Sequence, residues 1–115
     1  MTMTILHNPR CSKSRQTLAL IEEKGANPEI IEYLKAPPSA AVLDDILTKL
    51  GLEPREAMRK QEAPYKELGL DDPALSRGEL IAAMAAHPIL IERPIVIAGG
   101  KARIGRPPEA VLEIL

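Results

Sequence analysis

Thr2-Met3-Thr4-Ile5-Leu6-His7-Asn8-Pro9-Arg10-Cys11-Ser12-Lys13-Ser14-Arg15 is the stretch that decides the fold. Residues 2 to 7 alternate and are rich in β-formers, then Asn8-Pro9 breaks the run. A helical stretch follows from Ser12 to Lys24 and ends at Gly25, a good C-terminal cap. The order is strand, tight turn, helix. Ile30, Ile31 and Tyr33 predict a second short strand, so the chain opens with a parallel pair joined by a helix. Pro37-Pro38 forces a loop, Ser39 is placed to N-cap, and Val42, Leu43, Ile46, Leu47 and Leu50 fall at helical spacing until Gly51 stops them.

From Leu52 to Ala86 the pattern is that of short helices. Pro54 suits a first helical position, and Ser76 with Glu79 makes a capping box beside a hydrophobic staple of Leu75 and Leu80. After His87-Pro88, Ile95-Val96-Ile97-Ala98 and Lys101-Ala102-Arg103-Ile104 read as two strands joined by the two-residue hairpin Gly99-Gly100. Gly105-Arg106-Pro107-Pro108 then opens a last helix carrying Ala110, Val111, Leu112 and Leu115. The prediction is an α/β fold, a mixed sheet flanked by helices with a helical insertion. With no repeat, low-complexity tract or long charge run, residues 1 to 115 read as one domain.

Composition narrows the function. The 115 residues are 45% hydrophobic and 27% charged, with a formal net charge of -1. With no Phe, no Trp and only Tyr33 and Tyr65, the core must be aliphatic and stacking on nucleic-acid bases has almost nothing to work with. Near-zero net charge argues in the same direction, so no nucleic-acid partner is expected. The longest apolar stretch, Leu80 to Ile91, is broken by His87 and Pro88 and falls short of the roughly 20 residues of a membrane helix. Met1 to Leu6 lacks the marks of a secretory signal, and the expected location is cytoplasmic. A single cysteine closes no internal disulfide and fits a reducing compartment, and His7 and His87 are too scattered for a metal-ligand pattern.

The chemistry concentrates on that cysteine. Cys11 follows a strand and a Pro-containing turn and falls at the start of the first helix, where unpaired N-H groups and the helix dipole favour a thiolate. Arg10, Lys13 and Arg15 surround it, and no acidic residue occurs before Glu22. That electropositive setting outweighs the ordinary reading of a free Cys as core filler. A phosphatase loop is excluded because Thr17 stands six positions on, and a dithiol oxidoreductase because Ser14 stands where the second Cys belongs. Monothiol chemistry remains, and the sulfur that resolves any adduct must come from outside, from glutathione or a glutaredoxin-like partner. His7, at the end of the first strand, can support the thiol's charge or position. Ser14 shares its helix face and can hydrogen-bond the thiolate or the backbone, and Asn8 suits a turn role. Arg15 reads as an outer or surface charge.

His7 to Arg15 resembles the active-site segment of the glutaredoxin-coupled arsenate reductases, the ArsC family. Tyr33-Leu34, Leu52 to Lys60, Pro64-Tyr65, Leu68-Gly69-Leu70, His87-Pro88-Ile89-Leu90, Arg93-Pro94-Ile95-Val96 and Arg106-Pro107 extend the resemblance over nearly the whole chain. It implies a thioredoxin-like fold with a four-stranded mixed sheet and a helical insertion. It also implies Cys11 as nucleophile, Arg59, Arg93 and Arg106 as the oxyanion-binding set, and a cis Pro94 facing the cysteine. The implied activity, one of arsenical resistance, is reduction of arsenate to arsenite with glutathione as co-substrate and glutaredoxin as partner, and no bound cofactor or metal. Guanidinium groups suit that task, because a thiolate attacking an oxyanion meets like-charge repulsion that a planar cationic fork offsets. Arg106, ahead of a Pro-Pro helix start, also reads as a cation at a helix's positive end.

Arg10 and Ser12-Lys13 replace smaller residues of the best-known arsenic-resistance members, whose chains also run on beyond the position matching Leu115. Two other readings therefore stand beside the first. One is a monothiol glutathione-dependent oxidoreductase acting on another substrate. The other is a non-enzymatic regulator of the same fold that binds RNA polymerase, although such regulators usually carry the Cys-x-x-Cys that is missing here.

Overall fold

Alternating β-formers followed by Asn8-Pro9 give strand β1 (Met3–His7), and the chain turns directly into helix α1 (Ser12–Glu23). The computed structural model describes residues 3 to 115, so Thr2, the first residue of the predicted strand, lies outside the described residues. The chain divides into two compact units, one built from the residues up to Ala36 together with Arg93–Leu115, the other from Pro37–Glu92.

The first unit holds the sheet. Strands β2 (Glu29–Glu32), β3 (Ile95–Ala98) and β4 (Lys101–Ile104) join β1 in the order β2-β1-β3-β4. β1 runs parallel to β2, with Ile5 opposite Ile30, and antiparallel to β3, with Ile5 opposite Val96. β4 returns along β3 through the Gly99-Gly100 turn, where Gly99 takes a φ of +62° that favours glycine. Helix α1 turns Ser14, Thr17 and Ile21 inward at helical spacing. Ile21 joins Ile5, Val96, Ala98, Val111 and Ile114 in a buried aliphatic cluster, against which Met3, Leu18 and Ala26 pack. Each fully buried Ile or Val there stabilises the unit by about 1.5–3 kcal/mol relative to exposure.

Two details depart from the sequence expectation. β2 stops at Glu32, so Tyr33 follows the strand rather than ending it, and is buried. The last helix is a 3-10 helix (Pro108–Ile114) with Pro107 as its N-cap. Pro107 and Pro108 carry no N-H at its start, and Arg106 directly precedes them. The Arg106 side chain turns back toward Arg93, where its Nε donates to Arg93 O.

The second unit is helical. Ser39 Oγ accepts from Val42 N to cap α2 (Ala40–Leu50), and Gly51 ends it in the left-handed region. A 3-10 helix (Pro54–Ala57) and the short α3 (Ala63–Glu67) lead to α4 (Arg77–Ala86), which opens with the predicted Ser76 and Glu79 capping box. A second 3-10 helix, Pro88–Leu90, closes the unit. α2 packs on α4, burying Leu43, Ile46 and Leu47 of the first and Leu80, Ile81 and Met84 of the second. Arg77 Nε reaches Asp44 Oδ1 at 2.9 Å, and Arg55 Nε donates to Leu70 O at 2.9 Å. Among the described residues no helix is long and apolar enough to cross a membrane.

Candidate active site

The turn after β1 is built by its own polar atoms. Asn8 O accepts from Cys11 N at 3.0 Å and Asn8 Oδ1 accepts from Arg10 N at 3.0 Å, while Arg15 Nη1 donates to Pro9 O at 2.9 Å. Cys11 is thereby held extended as the N-cap of α1, with 9% of its surface exposed. An N-cap side chain faces the orphan N-H groups of the first turn, an environment suited to an anion.

The geometry gathers two arginines of the first unit around this thiol. Arg106 Nη2 lies 3.7 Å from Cys11 Sγ, and its Nε donates to Arg93 O at 2.8 Å. The Nε and Nη1 atoms of Arg93 are buried, and its charge acts on Cys11. Burial alone pushes the Cys11 thiol up. The backbone N-H groups of Ser14 and Lys13 and the charges of Arg93 and Arg106 outweigh that and hold it below the ordinary thiol range.

His7 and Ser14 meet beneath the turn, with Ser14 Oγ 2.7 Å from His7 Nδ1 and accepting from Asn8 N at 3.0 Å. The Ser14 hydroxyl is thus committed to the strand end and the loop, and it is the residue's backbone N-H that favours the thiolate. Burial lowers the His7 pKa, against the opposing pull of Glu32, and Arg15 lowers it further, so the ring is neutral near pH 7. Arg59 belongs to the second unit, where its backbone N-H donates to Leu90 O at 2.7 Å and its guanidinium pairs with Glu62.

Sequence reasoning missed Gly105. A Cβ there would lie 2.5 Å from Thr17 Oγ1 and 2.8 Å from Pro94 Cγ, and Thr17 is fully buried with Oγ1 donating to Lys13 O. Gly105 N donates to Pro94 O, so the residue before Arg106 is clamped between the sheet and α1. The signal was present as a glycine between a strand and an Arg-Pro, without an indication of what approaches it. Gly105→Ala is expected to destabilise the protein by about 1–3 kcal/mol through overpacking, measured by urea or thermal denaturation. Both Arg93-Pro94 and Arg106-Pro107 are cis; only the first was implied by the resemblance. Among the described residues no three or more His, Cys, Asp or Glu side chains gather as a metal site.

The mixed sheet of order β2-β1-β3-β4 with its flanking helices is a thioredoxin-like fold, shared with solved ArsC-type arsenate reductases. The chain belongs to the ArsC family, whose model matches residues 6–114. It is 59% identical over 112 residues to the uncharacterized protein YfgD of Escherichia coli K12, covering 96% of this chain and 94% of that one. It is 54% identical over 116 residues to arsenate reductase of Haemophilus influenzae, covering 100% of both chains. The solved arsenate reductase from Vibrio cholerae shares 57% identity at a TM-score of 0.97, covering 100% of this chain and 98% of that one.

Proposed function

We propose that the protein is an arsenate reductase in which Cys11 is the nucleophile and glutathione and a glutaredoxin supply the electrons. The observation that carries this reading is the placement of Arg106 Nη2 at 3.7 Å from the sulfur of a lone cysteine whose thiol is shifted toward thiolate. Names of similar proteins support the substrate: the Haemophilus influenzae and Vibrio cholerae relatives are both called arsenate reductases.

The Cys11 thiolate attacks the arsenic of arsenate, the new S-As bond forms, and one oxygen takes up two protons and leaves as water. Arg93 and Arg106, with Arg59 added by family resemblance, offset the repulsion between thiolate and oxyanion and hold charge developing on oxygen. A glutathione thiolate then attacks Cys11 Sγ. The S-As bonding pair passes to arsenic, which falls from the five to the three state and leaves as arsenite, while Cys11 and glutathione form a mixed disulfide. A glutaredoxin thiolate takes the glutathione and returns Cys11 as thiolate. The reduced glutathione pool of the cytoplasm suits this cycle.

The test is the rate of Cys11 alkylation against pH, with and without arsenate or sulfate. The midpoint is expected below that of a free thiol, since the folded-state environment favours the thiolate. Tetrahedral anions are expected to slow alkylation at fixed pH. An ordinary free-thiol profile that anions leave unchanged would overturn the reading. Turnover of arsenate with glutathione present and glutaredoxin omitted should leave the protein one glutathione heavier by mass spectrometry.

A further inference from the structure

We infer that the cavity beside the Cys11 loop is the docking pocket for the thiol co-substrate, a tripeptide thiol with two carboxylates and one ammonium group. The inference rests on the arsenate reductase reading and deepens it by assigning glutathione a place that neither Arg93 nor Arg106 supplies.

The cavity measures about 200 Å³ and is lined by the His7–Arg10 segment together with Glu32, Leu34 and Lys35, all in the first unit. Its chemistry is mixed in the way a zwitterionic peptide requires. Arg10 and Lys35 are exposed cations, Glu32 offers a carboxylate, and Leu34, an exposed large apolar side chain, lines the same cavity as Pro9. Lys35 Nζ and Glu32 Oε1 sit 3.5 Å apart with side chains 82% and 42% exposed. Such a pair holds weakly in water, so both members can exchange each other for a ligand's carboxylate and ammonium. Arg10, one of the cations flanking Cys11 in the sequence, gains a role as the second carboxylate partner.

Reach supports the same occupant. Arg10 and Cys11 are chain neighbours, with Cα atoms about 3.8 Å apart. In the tripeptide the thiol residue is the middle one, so it too stands about one residue from each end. Arg10 immediately precedes Cys11, so a terminal carboxylate held there keeps the tripeptide on the Cys11 loop. The pocket's cations also draw an anionic thiol toward a sulfur that carries an anionic arsenic adduct.

The probe is S-methylglutathione, which keeps the charges of glutathione and cannot reduce anything. Titrated into the full chain and followed by NMR, it is expected to saturate and to shift the signals of Arg10, Leu34 and Lys35. The double variant Arg10→Ala with Lys35→Ala should weaken that binding by at least about tenfold, since each loses a charged partner. In the single variant Lys35→Ala, Cys11 alkylation and its protection by arsenate should stay within about twofold. In turnover, KM for glutathione should rise with KM for arsenate unchanged. No saturable binding, shifts elsewhere, or equal binding by the double variant would overturn the pocket. The binding arm needs no turnover, so it decides the pocket even if the protein fails to reduce arsenate.

Discussion

Cys11→Ser is expected to lower kcat/KM for arsenate reduction by at least about a thousandfold, because it removes the one atom through which electrons pass in the proposed cycle. A serine hydroxyl is a far weaker acid than the thiol and is not ionised by the environment around position 11 near neutral pH. Even an oxygen-arsenic ester would be a dead end, since glutathione cannot form a disulfide with oxygen, and the bonding pair would have no route to arsenic. The loss should come without unfolding. Serine is among the favoured N-cap residues, so the variant's melting temperature should match or exceed that of the parent. Arsenite production with glutathione and glutaredoxin supplied, measured beside a melting curve, separates chemistry from stability. A variant that keeps its activity would remove the proposed nucleophile.

The elements around Cys11 were legible because their signals are local. Asn8-Pro9 and Gly25 bracket the turn and helix, Ser39 and Gly51 bracket α2, and Gly99-Gly100 sets the hairpin. The N-cap placement of Cys11 followed from the same punctuation. What composition and spacing could not supply was convergence over long sequence separations. Arg106 is 95 positions from Cys11 and meets it only because β3 pairs antiparallel with β1 and β4 returns along β3. Family resemblance named Arg93 and Arg106, but it carried no distances. From spacing alone the Ser14 hydroxyl suits a partner in the thiolate or the backbone. Its preference for His7 Nδ1 depends on where β1 ends relative to the first turn of α1, a tertiary fact. The 3-10 form of the last helix was also hidden, since Val111 and Ile114 satisfy either helical period.

The thiolate itself is a balance of opposed effects. Cys11 is nearly buried, and burial disfavours its charge. Two backbone N-H groups and two guanidiniums reverse that, and each is fixed before any substrate arrives. Arg106 is bound at its Nε to Arg93 O, which aims Nη2 at the sulfur. Gly105 sets the backbone from which it reaches. In the proposed reaction the arrangement therefore costs little reorganisation when an oxyanion enters, which is where fixed donors gain most over water.

Arg106→Ala should accordingly lower kcat/KM for arsenate by about a hundredfold and raise the midpoint of Cys11 alkylation. The sign follows from charge. Arg106 favours the thiolate, so its removal raises the thiol pKa, and at any pH between the old and new midpoints the variant carries less thiolate. If that were all Arg106 did, working above both midpoints would restore the rate. It should not, because in the proposed reaction the guanidinium also faces charge growing on the arsenate oxygens. Arg106→Lys separates the two roles. An ammonium keeps the charge and should recover most of the midpoint shift, but it lacks the fork that joins Arg93 O and Cys11 Sγ at once. The lysine variant should therefore titrate nearly like the parent while still turning over arsenate more slowly at saturating pH. Full recovery of rate by lysine would reduce Arg106 to a point charge, and an unchanged midpoint and rate in the alanine variant would remove it from the site.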